Sequence, residues 1–163
     1  MLLPSVWNKA NSLLNVPSHT RVTGMDESWE ATRREHARLK AESLEASKAA
    51  QSAEAQRMLD QFVRAAHAVQ LPTAPLVVKG YEKGTARTPL HGWYLKNDHS
   101  VAVDIEGNFY LLKAFLSVRE RLRGTTPNPT DPPLVLGYGG RDGEVIDLAD
   151  ALTKLLPNWR TLA

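Results

Sequence analysis

Ser100-Val101-Ala102-Val103-Asp104-Ile105, then Glu106-Gly107-Asn108, then Phe109-Tyr110-Leu111-Leu112-Lys113-Ala114-Phe115 is the stretch that decides the fold class. Val101, Val103 and Ile105 alternate with Ala102 and Asp104, the period of a strand buried on one face. Glu106-Gly107-Asn108 supplies turn chemistry, with Gly107 free to take positive φ. Residues 109–115 are rich in aromatic and aliphatic side chains and read as the return strand. So short a connection makes the pair antiparallel.

Working upstream, residues 91–96 hold Trp93 and Tyr94 and read as a third strand, closed by the turn residues Asn97 and Asp98. The three strands form an antiparallel meander. Leu76-Val77-Val78-Lys79 is a short β-prone run entered through Pro75. Residues 80–89 are polar and basic, include Gly84 and Pro89, and read as a loop.

Before the sheet the composition changes. There is no glycine between Gly24 and Gly80 and no proline between Pro17 and Pro72, and strong helix formers dominate. Asp26 is the expected N-cap, and Pro72 stops the helix. A continuous helix from Asp26 to Val69 would run about 65 Å. Its second half carries Ala55, Met58, Leu59, Phe62, Val63, Ala66 and Val69 at helical spacing, a stripe that should pack on the sheet. Its first half offers Trp29, Leu39 and Leu44 among charged residues and alanines, without a clean heptad. The organisation expected is a weakly structured tail over 1–25, a long helix over 26–71, and a small α+β domain over 72–163 that also binds the second half of the helix. Met25 is read as an alternative start.

Downstream, residues 116–123 fit either more strand or a short helix ended by Gly124. A proline-rich connection leads to a short strand at Leu134-Val135-Leu136. A final helix over 148–156 is expected to be capped by Asp147, with Asp150 completing a capping box. The fold class is therefore α+β: a long N-terminal helix, a mainly antiparallel β-meander sheet, and a C-terminal helix packed on one face.

The chain has 163 residues, a formal net charge of +2 and no cysteine. The last point rules out disulfides, thiol catalysis and cysteine-bound zinc. With no apolar run of membrane-spanning length, the expected setting is the cytoplasm, away from membranes.

Four constellations were weighed for function. Gly137-Tyr138-Gly139-Gly140-Arg141-Asp142-Gly143 lies between a strand and a helix, as a phosphate-binding loop does. Asp142 stands where a dinucleotide fingerprint needs glycine, and Glu144-Val145 replaces the Lys-Ser/Thr of a Walker loop, so the segment reads as a tight turn. His91, His99, Asp98 and Asp104 are possible metal ligands but lack a ligand spacing, and no metal or other cofactor is expected. Trp93, Tyr94, Tyr138, Arg141 and Asp142 mark the place of a pocket, should this be a small-molecule binder or an enzyme. Lys113, Arg119, Arg121 and Arg123, with Trp93, Tyr94, Phe109 and Tyr110 as stacking aromatics, mark a nucleic-acid face, a reading disfavoured by the modest charge excess. The leading expectation is a non-enzymatic interaction or assembly protein, a homo-oligomer or the companion of another protein, that uses Trp29, Leu39 and Leu44 on the long helix.

Overall fold

The computed structural model describes residues 23–137 and 144–162. Helix α1 spans Thr23–Ala68, so Asp26 falls inside its first turn and not at its cap. The division between the two compact units of the chain falls within this helix, between Ser43 and Leu44. From residue 28 to residue 51 every side chain is exposed. This part is laced by ion pairs between residues three and four apart: Glu30–Arg34, Glu35–Arg38, Arg38–Glu42 and Glu45–Lys48. Of the expected stripe, Ala55, Leu59, Phe62, Val63 and Ala66 are buried and Met58 is partly so, while Val69 lies past the end of the helix and is exposed. The helix ends before Pro72 in a Schellman motif. The Leu71 N–H donates to the Ala66 carbonyl and the Gln70 N–H to that of His67, with Gln70 at φ 54°.

Strands β1 (Ala74–Gly80), β2 (Thr85–Tyr94), β3 (Val101–Asp104), β4 (Phe109–Leu111) and β5 (Lys113–Ala114) form one sheet, ordered β4-β3-β2-β1-β5. All neighbours are antiparallel except β1 and β5, which are parallel. In a flat sheet β4 and β5 would lie four strand spacings apart, about 19 Å. Only Leu112 separates them, and two residue steps reach about 7 Å. The sheet therefore curls until its two ends meet. Leu112 is the corner: its N–H donates to the Ser100 carbonyl beside β3, and its carbonyl accepts from the Lys79 N–H of β1.

Curling creates an inside and an outside. Leu76, Val78, Ala102, Tyr110 and Leu112 fill the inside, with Leu90, Tyr94, Ala114 and Leu116 packed against them. Trp93, Leu95, Val101, Val103 and Phe109 point outward into a second core, covered by Leu59 and Phe62 of α1 and by the C-terminal elements. Those elements are β6 (Val135–Leu136) and β7 (Ile146–Asp147), which pair with each other, helix α3 (Leu148–Leu155) and the short helix α4 (Trp159–Leu162). Between the sheet and this group, helix α2 (Val118–Arg123) follows β5.

Several sequence expectations change for physical reasons. Residues 85–89 are strand and not loop. The β1–β2 register shifts between Pro75 and Val77, and this bulge absorbs Pro89, which has no N–H to give a ladder. There Thr88 Oγ1 donates to the Leu76 carbonyl at 2.6 Å. Strand β3 is buried on both faces, because Ala102 and Asp104 face the inside. Ile105 lies past its end, exposed. Of residues 116–123, Val118–Arg123 form a helix, with a true capping box between Ser117 and Glu120. Asp147 precedes α3 but makes no side-chain cap, so the box anticipated with Asp150 is not formed; the Leu148 N–H goes to the Leu134 carbonyl instead.

Gly92 sits where β2 changes partner, facing Ala74 of β1 and Asp104 of β3. A Cβ there would stand 2.0 Å from the Val103 carbonyl oxygen. Gly92→Ala is expected to cost about 1–3 kcal/mol or more through overpacking, and Phe62→Ala about 3–5 kcal/mol through loss of core volume. Urea unfolding followed by circular dichroism measures both; a change below about 0.5 kcal/mol in either would contradict the packing described.

Candidate functional site

The inward side chains of β1 and of residues 109–116 are committed to the inner core, so their neighbours must point outward. On β4 the outward Phe109 is covered by the second core. On β1 and β5 the outward side chains meet solvent. Lys79 stands opposite Lys113 across the parallel ladder, and one step further the rings of Tyr81 and Phe115 meet at 4.9 Å. Phe115 is 79% exposed. Helix α2 follows β5 and lies beside β2, where Gly124 meets Arg87. None of its residues is buried, and Val118 and Leu122, one turn apart, form an aliphatic ridge, Leu122 being 81% exposed.

The position of α2 is fixed by its two ends. At its start Ser117 Oγ accepts from the Glu120 N–H while Glu120 Oε2 accepts from the Ser117 N–H. The Ser117 hydroxyl and N–H, with Thr125, hold the Glu120 carboxyl below its ordinary value. At its end Gly124, at φ 90°, lies so close to the Arg87 carbonyl of β2 that a Cβ would approach it to 2.7 Å. Arg121 lies across Gly84 in the β1–β2 turn. A cleft of about 410 Å³ opens between that turn and α2, lined by Gly80, Glu82, Lys83, Phe115, Leu116 and Arg121.

At the other side of this face lies Asp98, in the β2–β3 turn. Lys79 Nζ donates to its carbonyl at 2.7 Å, and Lys96 Nζ and Lys113 Nζ stand 3.7 and 3.9 Å from its carboxylate. Burial pushes the Asp98 carboxyl up, but the hydroxyl and N–H of Ser100 and the two lysine charges together outweigh it and hold the group below its ordinary value.

The residues singled out from sequence distribute as follows. Trp93 and Tyr94 leave opposite faces of β2 and do not converge. Trp93 is in the outer core, edge-on to Phe62 at 5.5 Å, its indole N–H buried without a hydrogen-bond partner among the described residues. Tyr94 faces inward; its hydroxyl donates to the Pro75 carbonyl and accepts from the Val77 N–H opposite the β2 bulge. Tyr138, Arg141 and Asp142 lie outside the described residues, in the connection between β6 and β7. Phe109 and Tyr110 are buried, so the aromatics expected to stack on nucleic acid are core residues, and the exposed pair beside the basic segment is Tyr81 and Phe115. Arg119, Arg121 and Arg123 are on α2 and Lys113 is on β5. Trp29, Leu39 and Leu44 are all exposed on α1.

Among the described residues, His, Asp and Glu side chains do not gather in threes as a metal site requires. His99 stacks on Tyr94 at 4.1 Å. Asp104 is buried and saturated: it accepts from the N–H groups of Glu106 and Asn108, the Asn108 amide and the Tyr110 hydroxyl. No described helix is long and apolar enough to cross a membrane. A scan against protein-family models found no match, and searches of curated proteins and of solved structures found none either.

The buried Tyr110–Asp104 pair makes a pH prediction. Burial, then the Asp104 carboxylate, pushes the Tyr110 hydroxyl from its ordinary 10.0 up to about 12. A raised pKa in the folded state means that the contribution to stability is complete below the unfolded value and is lost as pH rises through the folded one. Phenolate absorbance should therefore show one tyrosine titrating near pH 12 in the folded protein, a step that disappears in Tyr110→Phe. The stability of Tyr110→Phe should also fall less steeply than that of the parent between the two values.

Proposed function

We propose that this chain is a non-enzymatic interaction or assembly protein that associates through the first half of α1, as a homo-oligomer. The observation that carries this reading is the uninterrupted exposure of residues 28–51, with Trp29 63% exposed. A helix of this kind gains little from burial within its own chain, and isolated helices are marginal in water. A partner supplies the missing cover.

Charge favours a second copy as that partner. Arg33, Arg34, Arg38, Lys40 and Lys48 are nearly balanced by Glu30, Glu35, Glu42 and Glu45. Two such helices do not repel, and the internal ion pairs can exchange for pairs between chains. Trp29, Leu39 and Leu44 provide the apolar contacts, and the alanines between them permit close approach.

The mass in solution, by light scattering coupled to size exclusion, tests this. The full chain is expected to be a dimer or higher oligomer. The combined substitution Trp29→Glu, Leu39→Glu and Leu44→Glu is expected to give a monomer with an unchanged near-ultraviolet signal from the core tryptophans. A parent chain that is monomeric over a hundredfold range of concentration would remove self-association through α1.

A further inference from the structure

A second surface, remote in sequence from the exposed half of α1, stands on different evidence. The outer wall of the curled sheet is covered by helices on the side of β3 and β4. On the side of β1 and β5, no described residue buries Tyr81 or Phe115. With Val118 and Leu122, these are four large apolar side chains, each at least 60% exposed, two of them just past the ends of β1 and β5 and two on the helix that follows. Exposed apolar patches of this kind mark binding sites.

The electrostatics of this face are one-sided. Lys79, Lys83, Lys113, Arg119, Arg121 and Arg123 lie on it or border it. Its acids are Asp98, Glu82 and Glu120. Asp98 is shared by Ser100, Lys79, Lys96 and Lys113, Glu120 is held by the cap of α2, and Glu82 lines the cleft itself, so the basic excess rests on Lys83, Arg119, Arg121 and Arg123. We propose that this face docks an acidic protein segment, which seats an apolar side chain in the cleft between the β1–β2 turn and α2 and sets its carboxylates against Lys83 and Arg121.

Other occupants fit less well. A second copy of this chain would bring an equally basic face against this one. A membrane surface is flat or gently curved, whereas Phe115 and Leu116 help to line a cleft of about 410 Å³, which takes a side chain and not a lipid plane. Single-stranded nucleic acid uses open aromatic faces for stacking. The rings of Tyr81 and Phe115 are tilted by 46° with their centroids 4.9 Å apart, which is not a flat stacking platform, and the aliphatic Val118–Leu122 ridge calls for apolar cover.

Fluorescence anisotropy on the full chain tests the proposal with four labelled probes. These are a peptide of Asp and Glu residues around a Leu-Phe pair, the same peptide with Gly-Ser in place of that pair, an oligothymidylate, and phosphatidylserine vesicles. The first probe is expected to saturate. Loss of its apolar pair, Phe115→Ser with Leu122→Ser, or Arg121→Glu should each weaken it by roughly tenfold or more. Phe115, Leu122 and Arg121 are exposed, and a preserved near-ultraviolet spectrum confirms that the variants fold. The triple substitution on α1 should leave peptide binding unchanged, which separates the two surfaces. The proposal is overturned if the acidic peptide fails to saturate, if the Gly-Ser version binds equally well, or if the oligothymidylate or the vesicles bind more tightly than the peptide.

Discussion

Leu112 holds the sheet closed with one backbone unit. Its N–H belongs to the neighbour of β3 and its carbonyl to β1, so a single residue joins the two ends of a five-stranded order. This closure joins the two end strands through the chain and not by a ladder of their own. It also forces the other irregular features. Strand β2 must serve β1 with one end and β3 with the other, which places a glycine at the change of partner and a proline in a bulge. The Tyr94 hydroxyl fills the hydrogen-bonding gap that the bulge leaves in β1.

The same closure separates structural from functional surface. The inner core is small, built from Leu76, Val78, Ala102, Tyr110 and Leu112 with a few partly buried neighbours. A core of that size gains much from a second one outside it, where Phe62, Trp93, Phe109 and Trp159 supply most of the aromatic area. Helix α1 and the C-terminal elements are therefore part of what stabilises the sheet. What they do not cover is the wall of β1 and β5, and there the sequence places lysines, two rings and an arginine-rich helix.

Much of the fold was legible because local patterns coincided with tertiary structure. The 3.6-residue stripe from Ala55 to Ala66 had only one way to be buried, and the alternation over residues 109–115 persists through the corner at Leu112, odd positions outward and even positions inward. Misreadings came where a non-local partner decided. Polar composition and Pro89 suggested a loop, but β1 was there to pair with it. Asp104 read as solvent-facing by alternation, but the inside of a curled sheet received it, with Asn108 and Tyr110 as partners. Curling itself depends on β1 and β5 meeting at Lys79 and Lys113, which no local signal announces. For the candidate site, the arginines of α2 were visible as a basic segment. The aromatics named beside them, Trp93, Phe109 and Tyr110, occupy richer β patterns and belong to the cores, while Tyr81 and Phe115 stand at strand ends where periodicity carries little information.

The position of α1 ahead of the sheet has a consequence for the order in which the molecule is made. Synthesis proceeds from the N-terminus, so Leu59 and Phe62 emerge long before Val101, Val103 and Phe109, the strand residues that cover them. Corner closure must wait longer still, until Leu112 has left the ribosome. During that interval the nascent chain carries an amphipathic helix with an open apolar stripe, the kind of segment that chaperones bind and that aggregates when crowded. The charged first half of the same helix, emerging earlier, keeps that waiting stripe attached to a strongly hydrated stretch of chain.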